Sequence, residues 1–209
     1  MSQGESLSAP FYAHVLRRSV RHYFSDFGVD AIGGYCPELQ VFWRYTIDPQ
    51  LSSEMERSKS CEITINLLEL CGMIITAFVV QILLADRPTS EGESVMMRGD
   101  NVSAVSWVNR CGGSRDRRAG ILMRMLGRME IESRWCQVAK HIPGAENRLA
   151  DGISRWPEEE IQINFNSLTQ EHGWKRQELA EGNTVLDKIL NLNLPKERLD
   201  DHLWSLLID

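Results

Sequence analysis

The sequence predicts a mixed α/β domain built around one sheet. Three observations point there. Three short segments rich in aromatic and β-branched residues crowd into residues 21–47; a long apolar stretch follows them; and behind it strand-like and helix-like segments alternate. Read in order, the pattern is β-β-β-α-β-α-α-β-α.

The chain opens with a polar leader and a weakly helical "FYAHVLRRSV". "RHYFSD", "IGGYCPEL" and "QVFWRYTI" then read as an antiparallel meander, punctuated by Gly-Gly and Pro. The polar "DPQLSSEMERSKS" reads as a loop. A helix is expected from about Asn66 to Leu84, since Asn66 and Glu69 have the spacing of a capping box. Its uncharged run, Leu70 to Ala85, is shorter than a bilayer span needs and is closed by Glu69 and Asp86, so a buried helix and no membrane are expected. "SVMMRGDN" reads as a strand ending at Asp100, and "VSAVSWVNR" as a helix stopped by "CGGS". In "RRAGILMRMLGRM" the residues Ile121, Leu122, Met125, Leu126 and Met129 recur at helical spacing. "SRWCQVAKHI" alternates as a strand, "PGAEN" turns, and "RLADGISRW" closes with a helix. The segments divide the chain into an N-terminal extension (1–20), the α/β domain (21–157) and an acidic, mostly helical C-terminal extension (158–209), to which no motif attaches.

Composition narrows the class. With 43% hydrophobic and 25% charged residues the chain has the balance of a globular domain. Five cysteines without a C-x-x-C pair argue against a disulfide framework or a zinc knuckle, and the start "MSQGESLSAP" lacks the apolar core of a secretory signal. A cytoplasmic or nuclear, not secreted, setting is expected. The net charge of −6 speaks against nucleic acid only until its distribution is read. From Pro157 onward eleven acids face five bases, which accounts for the whole −6 and leaves the rest neutral. Within that neutral part, seven arginines lie between Arg110 and Arg134 against Asp116, Glu130 and Glu132. Such a stretch suits a phosphate-facing patch or a solvated helix face.

Phosphoryl chemistry with two metals needs several carboxylates converging on one point, so that ions roughly 4 Å apart can clamp the attacking and leaving oxygens. In a sheet domain the sources are strand ends and helix starts. This chain offers Asp26 or Asp30 near the first strand's end, Glu69 in the first long helix, Asp100 after the fourth strand and Asp151 in the last helix. Singly, each also suits a turn, a cap or an exposed helix position. The "SDFG" around Asp26 also looks like a kinase metal motif, but no Gly-rich or H-R-D loop stands upstream.

The segment "HIPGAENRLADGISRW", His141 to Trp156, resembles the closing motif of RNase H domains in reverse transcriptases of LTR gypsy-type and DIRS-type retrotransposons, H-x-P-G-x-x-N-x-x-A-D-x-L-S-R, with Ile153 standing for Leu. "INLLEL" is similar to that family's helix with the second acidic ligand, and "RGDN" to its strand end with the third. The family's first motif, D-A-S, has a glycine seven residues after its Asp; counting back from Gly33 selects Asp26 over Asp30. Where the family has a small residue and then Ser, this chain has Phe27 and Gly28. The resemblance covers about Arg21 to Trp156.

The resemblance implies an RNase H-like α/β fold: a mixed five-stranded sheet, three antiparallel strands then two parallel, flanked by helices. It implies an endonuclease cleaving the RNA strand of an RNA–DNA hybrid, with Asp26, Glu69, Asp100 and Asp151 holding two Mg²⁺ ions (Mn²⁺ as a substitute) and His141 assisting product release. Asn101, Arg115, Arg117, Arg118 and Asn147 are its nucleic-acid-binding candidates. Trp43, Trp107 and Trp135 are read as core. The chain contains no Y-x-D-D motif, so copying is not expected of it; a detached piece of a retroelement polyprotein is, with a retroelement polymerase as a candidate partner. A decayed or repurposed domain that binds nucleic acid or protein without cleaving is the alternative, motivated by Phe27 and Gly28; another nuclease or strand-transfer enzyme is a third.

Overall fold

The computed structural model describes residues 20–28, 30–58, 65–85, 93–111, 116–133, 135–169 and 173–179. The expected helix in residues 11–20, the "GNTVLDKILNLNL" segment and Arg115 lie outside them, apart from Val20, which opens the first strand.

The meander forms as expected: β1 (Val20–Phe27), β2 (Ala31–Cys36) and β3 (Val41–Thr46) pair antiparallel. The segment read as a loop is instead helix α1 (Pro49–Ser58). Asp48 starts it, accepting from the Gln50 amide at 2.8 Å, with proline at the first helical position, where its missing N–H costs nothing. Helix α2 (Ile65–Leu84) begins before Asn66, so Asn66 sits in the first turn and is not the cap the capping-box reading made it. Its Oδ1 accepts from Asn101 Nδ2 at 3.0 Å. Then follow β4 (Glu93–Gly99), α3 (Val102–Asn109), α4 (Arg117–Ser133), β5 (Trp135–His141) and α5 (Arg148–Arg155).

The sheet order is β5-β4-β1-β2-β3-β6, with β4 parallel to β1 and β5 parallel to β4. This is the expected mixed α/β sheet, three antiparallel strands followed by two parallel ones, with one strand more. The sixth, β6 (Lys175–Gln177), comes from beyond Pro157 and pairs parallel with β3 after helix α6 (Ile161–Thr169).

Two apolar layers hold the sheet. On one face α2 and α4 bury Tyr23, Phe27, Ile32, Trp43, Leu70, Ile74 and Leu122. Helix α2 is long and apolar enough to cross a membrane, but its residues from Leu67 to Val80 are buried almost without a break inside the domain, which is what an all-round apolar helix requires. On the other face α5, α6 and the approach to β6 close a smaller cluster of Tyr35, Phe42, Ala150, Ile153, Ile161, Phe165 and Trp174. Trp43 and Trp135 are core, and Trp107 packs against it half-buried.

The glycine pair lies inside β2 and does not punctuate the meander. A Cβ on Gly33 would stand 2.6 Å from the Ser154 amide and 2.8 Å from the Ala150 carbonyl, and one on Gly34 would enter the Trp43 ring. Glycine at 33 therefore lets α5 rest directly on the sheet, opposite Asp26, its pairing partner on β1. The D-x₆-G spacing thus has a steric cause.

Candidate active site

Asp26 stands near the end of β1, Glu69 in the second turn of α2, and Asp100 just past β4. The parallel pairing of β1 and β4 brings the first and third side by side, and α2 packs against both strands. One carboxylate oxygen from each lies within 4.8 Å of the others.

Three like charges at that range are unfavourable in a half-dry pocket. Asp26 is 4% exposed, and burial, reinforced by Asp100 and Asp151, pushes its pKa up to about 6 against the pull of a hydrogen bond from Ser154. Burial, with Asp26 and Asp100 beside it, pushes Glu69 up to about 8. Arg155 offsets part of this repulsion at both groups. An all-oxygen donor set with surplus negative charge suits a hard divalent cation, so the residues present fit such an ion.

Asp151 is the outlier. It lies in the first turn of α5 and acts on Asp26 and Glu69 through its charge. Yet its Oδ1 is ion-paired with Arg155 Nε at 2.6 Å, and it stands outside the group of three. His141, at the end of β5, is exposed and rests its Nε2 3.0 Å from the Asp100 carbonyl, which makes that nitrogen the donor. It thus adjoins the carboxylates. Asp30 is exposed in the turn after β1, and its carbonyl accepts from the Ile47 amide at 2.8 Å.

The nucleic-acid candidates fare unevenly. Asn101 caps α3, accepting from the Ala104 amide at 2.9 Å while its Nδ2 reaches Asn66, so its side chain is committed within the fold. Asn147 is fully buried and donates to the Ser25 carbonyl at 3.0 Å, which ties the start of α5 to β1, so its side chain is spent within the fold. Arg118 is also buried, 4% exposed, and pairs with Asp116 at 2.7 Å; it corrects the expectation of a phosphate-facing group. Arg117, next to it, is exposed at the start of α4.

Phe27 turns into the main core at 6% exposure, so its ring does not crowd the carboxylates from solvent. Gly28 packs against Ser154, and a pocket of about 320 Å³, lined among others by Phe27, Gly28, Ser154 and Arg155, opens beside them.

Three further residues shape this site that sequence pattern alone does not mark. Ser154 Oγ donates to Asp26 Oδ2 at 3.0 Å, and Arg155 holds Asp151; both belong to the closing motif, whose fixed positions were the available signal. Arg44, in β3, donates through Nη1 to the Ile153 carbonyl and, at 2.9 Å, to the Trp156 carbonyl, capping the end of α5. An arginine amid the aromatics of "QVFWRYTI" was its one trace.

No family model matches this chain, and neither does any curated protein. Among solved structures, the chain is similar to the crystal structure of RNase H1 from the halophilic archaeon Halobacterium salinarum NRC-1, at 15% identity and a TM-score of 0.45, over 70% of this chain and 99% of that one.

Proposed function

We propose that the chain is a ribonuclease H-type endonuclease of retroelement origin, hydrolysing the RNA strand of RNA–DNA hybrids. The observation that carries this reading is the convergence of Asp26, Glu69 and Asp100 from a strand end, a helix and a second strand end onto one point. The closing motif from His141 to Arg155 supplies the retroelement assignment.

Asp26, Glu69 and Asp100 would hold the divalent cation, Mg²⁺ with Mn²⁺ as its substitute, and Asp151 would join a second ion once Arg155 releases it. Such ions supply Lewis-acid stabilisation of the charge developing on phosphate and on the leaving oxygen, and acidify water. The chain's own residues do the rest. The three carboxylates are held ready by β1, α2 and β4, so little reorganisation is needed on binding. His141, hinged on the Asp100 carbonyl, is placed to help the cleaved end depart. Arg117 offers charge to backbone phosphate, with low sequence specificity expected, since the 2′-hydroxyls of the minor groove identify the RNA strand.

Incubation with labelled RNA–DNA hybrid tests the reading. Cleavage that requires a divalent cation and is lost in Asp100→Asn is the expected result, and an inert wild-type chain overturns it. The second reading, binding without cleavage, is favoured by Asp151, which is paired with Arg155 and stands outside the group of three carboxylates. It predicts hybrid binding with steep salt dependence and no product.

A further inference from the structure

We infer that Ser154 is a positioning residue for Asp26, and that Gly28 is the space this arrangement requires. The inference rests on the proposed carboxylate site and adds residues to it.

Ser154 is 1% exposed, and its Oγ lies 3.0 Å from Asp26 Oδ2 and 2.8 Å from the Asp151 carbonyl. A hydroxyl carries a single proton, so it can donate to one of these acceptors at a time. Donation to an ionised carboxylate is charge-assisted and wins. Asp26 is thereby fixed from the side of α5, while Glu69 and Asp100 approach from α2 and β4.

The hydroxyl is itself well anchored. Asn147 ties the start of α5 to β1 beside Asp26, Arg44 caps its end from β3, and Gly33 lets its middle touch β2. A helix held in three places can transmit orientation to a carboxylate; a loosely docked one cannot.

Gly28 completes the device. A Cβ there would lie 2.9 Å from the Ser154 carbonyl, 3.0 Å from the Ala31 carbonyl and 3.1 Å from Ser154 Oγ. Two of these are backbone atoms with little room to retreat. A serine at position 28, as in the related D-A-S motif, would meet the groups that Ser154 now presents. The hydroxyl beside the first carboxylate therefore comes from α5.

The test is divalent-cation binding by the full chain, followed by calorimetric titration with Mn²⁺ alone and by thermal unfolding, for wild type, Ser154→Ala, Ser154→Thr and Gly28→Ala. Ser154→Ala should fold with a metal-free midpoint lowered by the loss of one buried donor, and bind Mn²⁺ about tenfold more weakly, in the range seen when a group supporting a metal ligand is removed. Ser154→Thr keeps the hydroxyl and should restore most of the affinity. Gly28→Ala should weaken Mn²⁺ binding as well, because it displaces Ser154. Wild-type binding with Ser154→Ala equally tight overturns the positioning role and leaves the proposed function standing. A wild-type chain that takes up no divalent cation overturns both. Should threonine prove too large for so buried a position, alanine, which is smaller, still decides.

Discussion

Asp26 and Glu69 carry charge into a pocket that has stripped both of much of their water. Each therefore binds its proton more tightly in the folded chain than in the unfolded one, with pKa values of about 6 and about 8. The sign of the linkage follows: between about pH 4 and pH 8 the native state holds protons that the unfolded chain has lost, so stability falls as pH rises through that window. We expect the metal-free thermal midpoint to drop from pH 5 to pH 8, and a divalent cation to raise it more at pH 8 than at pH 5. At a concentration about 100 times its dissociation constant the cation should contribute about 2.7 kcal/mol, or roughly 5–10 °C. A midpoint indifferent to the ion at both pH values would contradict this. Arg155 acts on the same groups. Since its pair with Asp151 is exposed, Arg155→Ala should cost little stability and lower the cation half-saturation roughly threefold, measurable by the same titration.

Helix α5 shows how the secondary elements divide the work. It carries Asp151 and Ser154, and side chains from two strands hold its ends. Asn147→Ala removes the donor facing the Ser25 carbonyl; we expect a loss of about 1–3 kcal/mol in denaturant unfolding, with cation affinity falling in parallel. Helix α6 and β6 matter for a different reason. Phe165 stacks on Phe42 at 4.7 Å between ring centroids and meets Trp174 edge-on at 4.9 Å. Phe165→Ala should cost about 3–5 kcal/mol by unfolding, the loss typical of a buried aromatic. Sequence patterns made most of these elements legible. The strand segments announce themselves by aromatic and β-branched content, and α4 by its apolar stripe. Helix α1 was hidden because Asp-Pro reads as a turn although it also starts helices. Strand β6 was hidden because Lys-Arg-Gln has no strand character, and only its place beside β3 makes it one.

Across the whole molecule, the candidate site was legible to the extent that its residues sit at element ends. Glu69 and Asp100 could be picked out because a helix start or a strand end fixes where a side chain arrives, whereas Asp26 was told from Asp30 only by the spacing to Gly33 that the family resemblance supplied. Asn101, Asn147 and Arg118 could not be judged that way, since burial and hydrogen-bond partners decide their roles and these depend on elements far along the chain. Gly33 joins the two kinds of information, since it is visible as a spacing and explicable only by the helix lying on it. Gly33→Ala should therefore lift α5 from the sheet, which a fall in thermal midpoint together with weakened cation binding would register. The central strand carries a further consequence. β1 finds one neighbour at once in β2, but its other neighbour, β4, is encoded far downstream, with Val20 set against Ser94. While the polypeptide leaves the ribosome, one flank of this strand waits with its amides and carbonyls unsatisfied until the region around Arg98 has emerged. A nascent chain arrested before that point would present a sticky border to its neighbours, and so would a fragment ending near residue 90.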